Sequence, residues 1–113
     1  MKKSDFHKKE YGIPKFHKMA MKAMVGGDSV EPVFIAILGR ELSKNIFNVQ
    51  YSLETDSGIY FDVSLPLKKG VELSLKEVEV IKGKLLQAFP ETHPFYEDGR
   101  SFELMLHLYV DLP

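Results

Sequence analysis

Eleven consecutive residues, Pro90 to Arg100, hold an imidazole (His93), three carboxylates (Glu91, Glu97, Asp98), a phenol (Tyr96) and a guanidinium (Arg100). These are the groups of general acid–base catalysis, which works when such side chains converge in a cleft with shifted pKa values. The same stretch has the composition of a surface turn, in which proline, aspartate and glycine serve the backbone. It is also longer than the about 2 to 6 residues usual between a helix and a strand, and long loops often carry function. Sequence supplies neither a cleft nor a shift. The expectation is a non-catalytic protein, with a small enzyme centred on His93, Glu97, Asp98 and Arg100 as one alternative.

Other chemistry finds less support. His7, His17, His93 and His107 show no H-x-H or H-x-x-x-H spacing, and the chain has no cysteine. Thiolate zinc sites, disulfides and cysteine nucleophiles therefore fall away. Neither a Walker-type phosphate loop nor G-x-G-x-x-G nor G-x-S-x-G occurs, so no metal and no cofactor are expected.

The remaining candidates are binding residues. Tyr60, Met105, His107 and Tyr109 sit at alternate positions of two strand-like segments, on the side away from the apolar set. They are larger and more apolar than a solvated surface requires, and contiguous patches of that kind contact something. Lys15, Lys18 and Lys22 share one face of a helical segment. They belong to a basic stretch: residues 1–24 carry seven lysines against Asp5 and Glu10, a net +5. Residues 25–113 carry eight Lys or Arg against fourteen carboxylates, a net −6. A basic arm of this sort can meet nucleic acid, an anionic surface or the chain's own acidic body.

The elements that must position these residues follow from periodicity. Phe16, Met19, Ala20, Ala23 and Met24 recur at helical spacing between Pro14 and the Gly26-Gly27 stop, which predicts a short amphipathic helix. Asp28, Ser29 and Pro32 open a second helix burying Phe34, Ile35, Leu38, Leu42 and Ile46. Phe47, Val49, Tyr51 and Leu53 alternate with polar residues, and Ile59, Phe61, Val63 and Leu65 alternate again after Gly58, which predicts a hairpin. Ser74-Leu75-Lys76-Glu77 has the form of a capping box, with Leu73 and Val78 placed as a hydrophobic staple. A third helix runs from there to about Phe89, interrupted only by Gly83. Phe102, Leu104, Leu106, Leu108 and Val110 alternate through the last strand.

The expected class is α+β in the order ααββαβ. Two helices cover one face of a three-stranded antiparallel/mixed sheet, and the short N-terminal amphipathic helix is the first candidate to lie across the other, ahead of a second copy of the chain or a separate partner. A crossover through the third helix puts the last strand parallel to the second and beside the first, giving strand order 2-1-3. The arrangement resembles the latter part of a ferredoxin-like sandwich without its opening strand, a likeness that implies no function. The segment Gly58–Val63 resembles the glycine–aromatic strand of RNA-recognition domains, which implies bases stacked on Tyr60. The family's second aromatic motif has no counterpart here, and Asp62 sets a negative charge on that face.

At 113 residues the chain suits one domain: an irregular basic N-terminal arm over residues 1–13 and a single α+β domain over residues 14–113. The longest apolar run, Val33 to Leu38, falls far short of the about 20 residues that span a bilayer, and no signal-peptide run follows Met1. A soluble, cytoplasmic protein without a membrane partner is expected. The favoured function is a small binding or regulatory module for a protein partner, plausible as a homodimer through the open sheet face. A nucleic-acid accessory protein using the lysines and the sheet-face aromatics is the runner-up.

Overall fold

The computed structural model describes residues 14–55, 60–90 and 92–107; the arm assigned to residues 1–13, and Tyr109, lie outside them. Helices α1 (Pro14–Val25), α2 (Glu31–Leu38) and α3 (Arg40–Ser43) lead into strands β1 (Gln50–Glu54) and β2 (Tyr60–Pro66). Helix α4 (Leu75–Ala88) follows, then β3 (Phe95–Glu97) and β4 (Ser101–His107). The α+β class stands. The sheet has four strands rather than three, all neighbours are antiparallel, and the order is β1-β2-β4-β3.

One short element accounts for the difference in strand order. Within the stretch expected to be a loop, Asp98 (φ 50°) and Gly99 (φ 66°) form a tight turn closed by Arg100 N–H donating to the Glu97 carbonyl at 2.9 Å. Two successive residues at positive φ match the twist of a hairpin, which is why Asp-Gly is favoured there. Strand β3 therefore leaves α4 running in the same direction as β2, as a crossover through a helix delivers it. The turn then reverses the chain. Strand β4 comes back antiparallel and fills the gap between β2 and β3, so β2 rather than β1 is central.

Side-chain parity holds. The cross-strand pairs Phe61–Leu106, Val63–Leu104 and Leu65–Phe102 all point into the interior and all six residues are buried. Each such side chain stabilises the fold by about 1.5–3 kcal/mol relative to exposure. Above them lie Val78, Ile81, Leu85 and Ala88 of α4 and Val33, Phe34, Ile37 and Leu38 of α2. The α4 start is built as the sequence predicts: Ser74 Oγ accepts from Glu77 N–H at 3.1 Å, and Glu77 Oε1 accepts from Ser74 N–H at 3.0 Å. That second bond holds the Glu77 carboxyl below its ordinary pKa.

Three local expectations change. The second helix does not run on to Ile46: Gly39, at φ 83°, ends α2 and α3 starts anew from it. Within α2, Ile37 rather than Ile35 is buried. The β1 ladder begins at Gln50, after an isolated bridge between Ile46 and Leu67, and Phe47 is exposed rather than buried. Helix α1 forms as expected but is rotated, burying Ala20, Met21 and Met24 and leaving Met19 exposed. It packs on α2 and α4 inside the helical layer, with the His17 ring 6.3 Å from that of Phe89. The other side of the sheet is left uncovered by any described helix.

Candidate binding face

The outward side of the sheet follows directly from the register. Glu54 lies opposite Tyr60, Ser52 opposite Asp62 and Gln50 opposite Ser64. Across the next seam Tyr60 faces His107, Asp62 faces Met105, Ser64 faces Glu103 and Pro66 faces Ser101. At the far edge Phe95 faces Glu103 and Glu97 faces Ser101. Because directly opposed residues share a face, these pairs define a surface sorted into diagonal rows. Glu54, Asp62, Glu103 and Glu97 contribute one carboxylate from each strand, every step moving one strand across and two residues along. Tyr60, Met105 and Phe95 run parallel to them on one side, and Ser52, Ser64 and Ser101 on the other.

Neighbours on such a diagonal are about 7–8 Å apart. Two carboxylates at that separation repel by roughly 0.5 kcal/mol in water. Nothing on the strands offsets this, since among the described residues none of the four carries a lysine or arginine. Glu103 is fixed in place: Ser64 Oγ donates to its Oε2 at 2.6 Å and Ser101 Oγ donates to the same oxygen at 2.7 Å. Bonds to a charged acceptor are the stronger kind and remove rotamer freedom in advance. Beside the row, Met105 is 48% and Phe95 50% exposed, and the Tyr60 and His107 rings stand edge to face with centroids 6.2 Å apart.

Of the residues singled out from sequence, Tyr60, Met105 and His107 are brought together here, closer than strand order 2-1-3 would have put them. Lys15, Lys18 and Lys22 are not: they are exposed on α1, in the helical layer on the other side of the sheet. Phe95, Glu97 and Glu103 were missed as members of the face, and the signal that could have found them is the Asp98-Gly99 turn. The groups weighed for catalysis do not converge. His93, Glu97, Asp98 and Arg100 are all exposed around the β3–β4 hairpin. Tyr96 packs under it on Phe102, ring centroids 4.6 Å apart, and burial pushes its hydroxyl above the ordinary phenol pKa. Thr92 is buried and donates its hydroxyl to the Phe89 carbonyl at 2.7 Å, satisfying the end of α4. Among the described residues, no three histidine, aspartate or glutamate side chains are grouped to hold a metal ion.

A second surface borders the outer edge of β1. Phe34, Ile35, Leu38, Ile46, Val49 and Leu65 line an apolar recess of about 50 Å³, with Ser43 Oγ buried at its wall and without a hydrogen-bond partner among the described residues. Leu53 on β1 is 53% exposed although its parity turns it toward the core side. The Tyr51 hydroxyl donates to the Asp28 carbonyl at 2.8 Å, tying this edge to the turn between α1 and α2. No helix of the described residues is long and apolar enough to cross a membrane. The chain matches no known family model, no curated protein and no solved structure.

Proposed function

We propose that this chain is a small, non-catalytic protein-binding module whose working surface is the outward face of the sheet. One observation carries the reading: α1, the element best suited to cover that face, is packed into the helical layer instead. Met105, Phe95 and the Tyr60–His107 pair are thereby left as an exposed apolar and aromatic strip. Strips of this kind mark interaction sites. Isologous pairing of two such faces would set the carboxylate rows of both copies against each other, which favours a different partner over a second copy.

The nucleic-acid alternative needs lysines beside the stacking aromatics. Here Lys15, Lys18 and Lys22 stand on the opposite layer while carboxylates line the aromatics, an arrangement that repels a polyanion. The enzyme alternative needs a cleft at the hairpin, where the titratable groups are spread over the surface.

A photo-crosslinking residue placed at Met105 tests the proposal, with Val80, on the exposed side of α4, as the control position. Crosslinks to a protein from position 105 and none from position 80 are expected. Equal yields at both positions, or none at either, would remove the reading.

Self-association keeps one supporting observation, the outer edge of β1, an edge strand on which Leu53 is exposed. Antiparallel pairing of two β1 strands about Ser52 sets Tyr51 opposite Leu53 and Gln50 opposite Glu54, with no like charges opposed. A dimer mass in light scattering that falls to the monomer value in Leu53→Lys is the expected result on this reading; a monomeric wild-type chain ends it.

A further inference from the structure

We infer that the partner of the outward face is an extended, lysine- or arginine-bearing segment of another protein, lying along the diagonal of Glu54, Asp62, Glu103 and Glu97. This rests on the binding reading above and adds the chemistry of what is bound. Four carboxylates, one per strand, stand on a face whose strands carry no lysine or arginine among the described residues. Apart from the two serine hydroxyls that bond Glu103, no group on the described strands offsets the mutual repulsion of the row. A cationic ligand converts that repulsion into attraction, and the low dielectric beneath the sheet strengthens it.

Successive carboxylates on the diagonal are about 7–8 Å apart. Alternate residues of an extended chain, all pointing to one side, are about 6.6–6.8 Å apart. A strand with Lys or Arg at every second position therefore keeps step with the row over its four members.

Long cationic side chains bury their methylene stems on apolar surface while the charged head stays polar, and Met105 offers such a surface beside Asp62 and Glu103. The Tyr60 and Phe95 rings, each opposite a member of the row, supply faces for cation–π contact. Glu103 is pre-organised by Ser64 and Ser101, so little freedom is lost when a cation meets it.

The test uses the full chain and a nine-residue peptide alternating lysine and serine, with a glutamate-for-lysine peptide and a poly-uridine strand as probes of opposite charge. Binding is followed by two-dimensional NMR at low and moderate salt. Expected are shifts centred on Asp62, Glu103 and Met105 with the lysine peptide, and none with the other two. The dissociation constant should weaken at least tenfold in Asp62→Asn/Glu103→Gln and again on raising the salt. A thermal melt of that variant at or above the wild-type midpoint shows that the loss is not unfolding. Unchanged affinity in the double variant, shifts centred on the helical layer, or preference for the glutamate peptide or the RNA would each overturn the inference. If Met105 crosslinks to a partner whose captured segment lacks Lys and Arg, the cationic assignment fails while the binding reading stands. Absence of any crosslink removes both.

Discussion

Phe61 and Asp62 are adjacent in sequence and lie on opposite sides of β2, and the two sides obey different rules. On the inner side every seam joins apolar to apolar, and Phe61–Leu106, Val63–Leu104 and Leu65–Phe102 are closed over by α2 and α4. On the outer side the same strands set carboxylates on one diagonal, aromatic and sulfur side chains on the next and serines on the third. Burial explains this inner pattern at the three β2–β4 pairs, since exchanging any of their members for a polar residue would leave it unsatisfied in the core. It does not explain the outer one. A solvated face needs charges of both signs and few large apolar groups, whereas this face has one sign and a strip of exposed rings. The contrast separates what the sheet needs in order to fold from what it retains for another purpose.

Substitutions on the two sides should therefore differ in sign as well as size. Leu104→Ala, at a residue 1% exposed, should cost about 2–5 kcal/mol of stability, while Met105→Ala next to it should stay within about 0.5 kcal/mol. Urea denaturation of the pair measures both, and equal losses would mean the outer side is also covered. In the layer that closes the inner side, Ser74→Ala should cost about 1 kcal/mol by removing the hydroxyl that caps α4. Gly83→Ala in the same helix should have the opposite effect, a gain of about 0.5–1 kcal/mol, because a β-carbon there meets no atom within 4 Å. The smallest change is expected on the outer side: Asp62→Asn should leave the fold unchanged or raise its midpoint slightly by interrupting the carboxylate row, the reverse of what a stabilising surface charge would do.

The helical layer also carries a pH dependence. Glu77 has its folded pKa depressed by the Ser74 N–H bond, so its contribution is present above the unfolded pKa and is lost as pH falls through the folded one. Stability measured across the acid carboxylate range should therefore fall less steeply in Glu77→Gln than in the wild type.

The inner side was legible in the sequence because a period of two admits only two facings, and the runs Phe61–Leu65 and Phe102–Leu106 each allow just one buried set. The capping box of α4 was legible because its four residues interact only locally. The strand order was not. It turned on Phe95–Glu97, three residues too short to show alternation, whose only signal was the Asp98-Gly99 dipeptide, masked by a surrounding stretch with loop composition. Omitting that strand reverses the direction of the last one, which is how β1 came to be expected in the centre. The outer rows depend on register across all three seams, so Tyr60, Met105 and His107 could be named from parity while the diagonal of Glu54, Asp62, Glu103 and Glu97 could not. Gly39 broke the second helix for a comparable reason: the apolar period continues past it to Leu42, and only the backbone angle shows the interruption.

The outer side must be open in solution to serve as a binding surface, and the methionine methyl groups report that directly. With methyl-labelled methionine and a soluble paramagnetic agent, Met105 should relax as strongly as exposed Met19, while Met24, 3% exposed in the interior, stays protected. A Met105 methyl as protected as that of Met24 would mean that the face is already covered, and would contradict its assignment as the free binding surface.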